Sequence, residues 1–301
     1  LTGVSDLDEA ERGAGTTAAI ALAGLDKAAA ENFPVAARVL PKRYRAHLMA
    51  LYGFARLTDD IGDEPLPGIP EATVADRLRL LDDLEADLHR IYSGQTPNLS
   101  AIAALRDTVK ARNIPEKPFT DLIQANRQDQ TVKRYATIEE LEQYCDLSAN
   151  PVGRVVLYIF GAHSGDRESL SDKICTALQL AEHWQDVAED LGNGRIYLPE
   201  EDLDRFGVTT EDLGQPTANG KVRDLMAFET RRAASMLDDG AKLIGTLGHG
   251  AARLAIAGYV AGGRAALKAI ADAGFDPLKA TPRPDKKTTL AGMISGYARG
   301  R

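Results

Sequence analysis

Cysteine is nearly absent from this 301-residue chain: Cys145 and Cys175 are the only two, and neither has a metal-ligating partner at close spacing. That argues against a disulfide framework and a cysteine-based zinc site, and it fits a reducing, cytoplasmic setting. Aromatic residues are scarce too, at 6% with a single Trp, while Ala and Leu are abundant. Such a balance favours helices over a β-rich build. No run reaches the roughly 18 consecutive apolar residues of a membrane span; LAIAGYVAGG after Arg253 is short and is followed by Arg264. A protein that does not cross the membrane is expected, with peripheral contact left open. Positive charge is also in deficit, with a formal net charge of -8, which argues against nucleic acid as the main partner. The N-terminal LTGVSDLDEAERGAG has neither the basic flank nor the apolar run of a secretory signal, and residues 1–16 read as a loose tail.

What the chain does have is apolar residues three and four apart along nearly every long segment, with no convincing period-2 runs. The spacing predicts an all-α protein, with helices over roughly 17–30, 42–62, 70–92, 99–112, 116–128, 137–163, 167–191, 218–246, 249–273 and 285–298. Breaks fall at suitable residues: Pro65, Pro67 and Pro70 around Gly68, Ser93-Gly94, Gly192-Asn193-Gly194, and Pro216 to Gly220. None of these is a long linker, so a single helical domain over 17–301 is expected.

Two acidic segments stand out. In HLMALYGFARLTDDIGDE, Leu48, Leu51, Tyr52 and Ala55 form a stripe that continues toward Arg56, Asp59 and Asp63. The two aspartates are four apart, stacked on one face at a helix C-terminal end where the dipole already disfavours negative charge. Read alone, this is a solvated acidic helix end or a metal-diphosphate anchor. Magnesium takes one or two carboxylates and completes its shell with water and phosphate oxygens. The second segment, LQLAEHWQDVAEDLGNGRIYLPEED, repeats the arrangement with Asp186 and Asp190, and Glu182 extends the same face. One such pair is ordinary; two, each followed by a Gly-containing turn, point to a shared ligand such as a diphosphate with two or three magnesium ions. Arg195 adds a bidentate phosphate donor and Tyr197 a phenol, whereas Glu200, Glu201 and Asp202 read as first-turn helix acids.

Together these segments resemble the squalene/phytoene synthase family, the head-to-head trans-prenyl synthases. The resemblance lies in Tyr52-Gly53-Phe54-Ala55-Arg56 with Asp59-Asp60-Ile61-Gly62-Asp63, and in Gln179 through Asp190 with Gly194-Arg195-Ile196-Tyr197-Leu198-Pro199. It runs from about residue 31 to 273. It implies an isoprenoid-synthase helical bundle around a central cavity, with the two aspartate motifs facing each other across its mouth. Glu31 to Ala36, Ser148 to Arg154 and His183 to Val187 look most like the bacterial hydroxysqualene-forming branch of hopanoid biosynthesis. The implied reaction converts presqualene diphosphate and water to hydroxysqualene and diphosphate, downstream of a presqualene diphosphate synthase. Glu182 departs from the Asn that many relatives carry.

On this reading Asp59, Asp63, Asp186, Asp190 and Glu182 are the magnesium ligands. Arg56, Gln179 and Arg195 contact the diphosphate, Tyr52 and Tyr197 join the catalytic set, and Tyr144, Phe54, Ser148 and Asn150 line the substrate; Trp184 is a further candidate π face. Core packing is the alternative for each aromatic, and for Ser148 and Asn150 it is satisfaction of a helix break at Pro151. His163, His183 and His249 read as structural. Gly245, Gly248 and Gly250 follow no expected strand, so no nicotinamide site is expected. Two alternatives remain: a presqualene diphosphate, squalene or phytoene synthase joining two prenyl diphosphates, and a non-catalytic helical assembly factor.

Overall fold

A computed structural model of the chain describes residues 40–66, 69, 71–284 and 286–300, with 286–288 as backbone only. The tail over 1–16, the helix expected over 17–30 and the Glu31–Ala36 segment lie outside the described residues. Within the single domain expected over 17–301, the described residues gather into two compact units. One runs to Thr131 and takes in Tyr158–Gly161; the other comprises Val132–Leu157 and continues from Ala162. All regular elements among the described residues are helical, and β-pairing is confined to the isolated bridges Leu66–Ile69 and Arg134–Ile196.

The first unit is built on α1 (Lys42–Asp63), against which α2 (Val74–Tyr92), α3 (Ser100–Arg112) and α4 (Lys117–Asp129) pack. Buried Leu48, Leu51, Phe54, Leu57 and Ile61 recur every three or four residues and make the core face of α1. Tyr52, Arg56, Asp59 and Asp63, at i, i+4, i+7 and i+11, fall on the opposite face. The sequence stripe therefore starts buried at Leu48, one turn before Tyr52, and runs out to exposed Asp59 and Asp63, while Leu51 turns toward the core face. Thr73 and Asp76 form a reciprocal capping box that starts α2.

In the second unit, α5 (Ile138–Ser148) and α6 (Asn150–Phe160) replace the one helix expected over 137–163. The break falls at Ala149, and Pro151 takes the first turn of α6, where its missing N–H costs nothing. α7 (Gly165–Gln185) is followed at once by the six-residue α8 (Val187–Gly192), so the helix expected over 167–191 is kinked at Asp186. α9 (Glu200–Phe206), α10 (Thr210–Leu213), α11 (Gly220–Gly240), α12 (Leu243–Thr246), α13 (Ala251–Asp272) and α14 (Lys286–Arg299) complete the unit.

α7 packs on α5, α11, α12 and α13. Its neighbours come close because they offer glycine at the contact. A Cβ at Gly240 of α11 would lie 2.9 Å from the Ile174 backbone nitrogen, and one at Gly263 of α13 would lie 2.7 Å from Leu178 Cδ2. At Gly153 of α6 it would meet Cys175 Sγ and Ser171 Oγ at 2.5 Å. α13 is long and apolar enough, by length and composition, to cross a membrane. In this fold it packs against α7, α11 and α14, and its Arg264 pairs with Asp238 at 2.6 Å.

Candidate active site

Each unit presents one acidic cluster. In the first, Asp59 is reachable from solvent yet crowded by protein, and the resulting desolvation pushes its carboxyl up to about 7. Asp63 and Asp129 add negative charge that works in the same direction, while Arg56 and a hydrogen bond from Asn126 oppose it. Asn126 Nδ2 donates to Asp59 Oδ1 at 3.2 Å. The positive charge expected near this helix end is present. Arg56 Nη2 reaches Asp60 at 2.9 Å and Glu64 at 3.2 Å, and Arg77 donates to the Ile61 and Glu64 carbonyls at 2.7 and 3.1 Å. Arg77 and Gln130, which donates to the Gly62 carbonyl, satisfy acceptors that the end of α1 would otherwise leave unbonded. Asp129, Asn126 and Arg77 lie beyond the segment that spacing singled out.

The second cluster sits at the α7–α8 kink. Asp186 N closes the first helix on the Glu182 carbonyl at 3.0 Å, and Asp190 N opens the next on the Asp186 carbonyl at 2.8 Å, so the helical ladder is interrupted at Asp186 and restarts from its carbonyl. Asp186 thus closes α7, and Asp190 lies in the first turn of α8 rather than at the end of a long helix. Asp190 is pushed up to about 7, by desolvation first and then by Asp186, with Arg195 opposing. Desolvation also raises Glu182, helped by the Asp186 charge; for Asp186 it acts with Glu189 and against Arg283. Gly194, at φ 74°, turns the chain so that Arg195 N bonds the Asp190 carbonyl at 2.8 Å. Residues 195–201 then run beside 133–138, tied by Ile196 N to the Lys133 carbonyl and by Ile138 N to Glu201.

The raised carboxyls give a pH test. The unfolded chain releases these protons near the ordinary value of 3.8, whereas folded Asp59 and Asp190 hold theirs to about 7. Between those limits the folded state binds more protons, so its stability falls as pH rises. Without divalent cations, the urea midpoint should therefore decrease between about pH 5 and about pH 7.5. The double substitution Asp59→Asn with Asp190→Asn should flatten that slope; an equally steep slope in the double variant would contradict the assignment.

The aromatic residues separate cleanly. His183 lies flat on Tyr197, ring centroids 3.7 Å apart, and Tyr144 stacks on Tyr197 at 5.9 Å, with Tyr135 beside both. Burial, with the Arg195 charge, pushes His183 down to about 3, so this wall is uncharged at neutral pH. Gln179 Nε2 lies 3.3 Å from His183 Nε2. Phe54, expected to line the substrate, is instead fully buried, edge-on to Phe119 at 5.2 Å, because it falls on the core face of α1. Trp184 is fully buried as well. Asn150 donates to Asp146 at 2.7 Å and accepts from Thr176 at 3.0 Å, which ties α5, α6 and α7 together. It also lines a cleft of about 520 Å³ with Glu142, Asp172 and Arg232. Ser148 Oγ is buried with no hydrogen-bond partner among the described residues.

An all-α fold with paired carboxylates on helix faces defines a class that the comparisons make specific. The squalene/phytoene synthase model matches residues 26–289, and the chain belongs to that family, whose members are enzymes acting on prenyl diphosphates in isoprenoid biosynthesis. It is 35% identical to hydroxysqualene synthase of Sinorhizobium fredii, over 71% of this chain and 70% of that protein. It is 33% identical to phytoene synthase of Mycobacterium tuberculosis, over 73% and 71%. The crystal structure of squalene synthase from Alicyclobacillus acidocaldarius superposes with a TM-score of 0.73 at 41% identity, covering 81% of this chain and 89% of the other.

Proposed function

We propose that this chain converts presqualene diphosphate and water to hydroxysqualene and diphosphate, as a lyase of hopanoid biosynthesis supplied by a presqualene diphosphate synthase. One observation carries the reading: two carboxylate pairs, Asp59/Asp63 and Asp186/Asp190, in which Asp59, Asp186 and Asp190 are poorly hydrated, in a chain similar to hydroxysqualene synthases over about 70% of its length.

The donor set is all carboxylate oxygen, which suits a hard divalent cation. Among the described residues no three His, Cys, Asp or Glu side chains form a metal cage, so an ion here draws the rest of its shell from water and phosphate, as magnesium commonly does. Asp59, Asp63, Asp186 and Asp190 would hold the ions, with Glu182 adding charge beside Asp186. When bound, magnesium neutralises the charge that develops on the departing diphosphate. Arg195, close enough to favour the charged form of Asp190, takes phosphate oxygens through its planar fork. Arg56 keeps Asp60 and Glu64 neutralised beside the metal ligands. Tyr144 and Tyr197 present π faces to a carbocation, and neutral His183, flat on Tyr197, adds no repulsive charge. Ser148 is the hydroxyl left to position the attacking water.

The similarity to phytoene synthases at 33% identity favours a second reading, the joining of two prenyl diphosphates. Product analysis separates the two. With magnesium and presqualene diphosphate, the purified chain should release hydroxysqualene. No turnover there, alongside coupling of farnesyl diphosphate, would establish the second reading instead.

A further inference from the structure

Asp59 is joined to α4 by a contact that its own helix cannot provide. Asn126 is buried, with its amide wedged between α4 and the last turn of α1. Its Nδ2 donates to Asp59 Oδ1 at 3.2 Å and to the Leu122 carbonyl at 3.3 Å. Its Oδ1 lies against Gly62, where an added Cβ would stand 2.2 Å from that oxygen and 3.2 Å from Cγ. One turn on, Gln130 Nε2 bridges the Gly62 and Asn126 carbonyls at 3.2 and 3.0 Å.

α4 is itself fixed at two further points. Phe119 packs edge-on to Phe54, and Arg127 Nη2 reaches Asp82 and Glu85 of α2 at 2.6 Å each. Asn126 is therefore delivered to Asp59 by an anchored helix. The approach is possible only because position 62 has no side chain.

From this geometry we infer that Asn126 is a positioning residue: it fixes the Asp59 carboxylate through Oδ1 and leaves Oδ2 to the cation, with Gly62 providing the space. The inference rests on the reading of Asp59 as a magnesium ligand. A neutral donor suits the task, because it orients a carboxylate without neutralising it as an Arg or Lys would. Hydrogen bonds to a ligating side chain typically tune metal affinity by about 10–100-fold.

The test uses the full chain and two readouts, magnesium titrated calorimetrically in the presence of inorganic diphosphate, and the magnesium concentration giving half-maximal turnover. Asn126→Ala and the volume-preserving Asn126→Leu should weaken magnesium by about 10-fold or more in both. Gly62→Ala would be expected to stabilise a helix on propensity alone. Here it should instead weaken magnesium, because it displaces the Asn126 amide. In the double variant Gly62→Ala with Asn126→Ala the obstructing oxygen is gone, so magnesium should bind no worse than in Asn126→Ala alone, a non-additive outcome. A purely structural role would lower the melting temperature and leave magnesium affinity within about twofold of wild type, which would overturn the inference. Asp59→Asn is the reference: if it shifts magnesium and the Asn126 variants do not, the positioning role fails. If Asp59→Asn also has no effect, the reading of Asp59 as a ligand fails first.

Discussion

Asp190→Asn should reduce turnover of a prenyl diphosphate by at least about 10²–10³-fold, the usual cost of removing one preorganised charge-stabilising group. Asp190 sits where like charges converge: Asp186, Glu189 and Glu182 all raise its carboxyl, and Arg195 alone among its named neighbours lowers it. Such an arrangement is unfavourable for an empty site and favourable once cations enter. The loss should appear in turnover measured at saturating magnesium, with the melting temperature in the absence of divalent cations unchanged or raised, since Asn removes a poorly hydrated acid. A variant that keeps wild-type turnover would remove Asp190 from the catalytic set.

The largest effect on stability is expected at Phe54, in the core of the first unit. Phe54→Ala should cost about 3–5 kcal/mol, the range for emptying a buried aromatic site. Its ring is fully enclosed and meets Phe119 at 82°, a geometry that adds to simple burial. Urea unfolding should show a large fall in midpoint with little change in slope. Tyr52, two residues earlier and only half-buried on the opposite face of α1, provides the control. Tyr52→Ala should affect stability less and turnover more.

The contrast between Phe54 and Tyr52 shows what could be read from the sequence. Spacing correctly placed Asp59 and Asp63 on one face, because four residues is close to one helical turn and nothing interrupts α1. It did not assign Phe54, since a motif of five adjacent residues covers every side of a helix and the family resemblance treated it as one patch. The kink at Asp186 was equally invisible. No proline or glycine marks it, so nothing in the sequence shows that the backbone ladder is interrupted there and that Asp190 belongs to a new helix. Asn126 lies far along the chain from Asp59 and belongs to no pattern, and its meaning depends on a tertiary contact with Gly62. The stacking of His183 on Tyr197 depends likewise on the turn at Gly194, which the Gly192-Asn193-Gly194 sequence did mark as a turn, though not what it would bring together.

The glycines at 153, 240 and 263 have a consequence for how this protein can vary. Because three neighbouring helices present glycine to α7, Gly240 to its backbone and Gly153 and Gly263 to its side chains, the placement of Asp186 within its unit depends on those three positions keeping no side chain. Drift among the apolar residues of that unit can reshape the surroundings of the carboxylates, but it has little leverage over where the helix that carries them runs. Variation in what the enzyme accepts therefore has freer scope in the side chains around α7 than in the course of α7 itself.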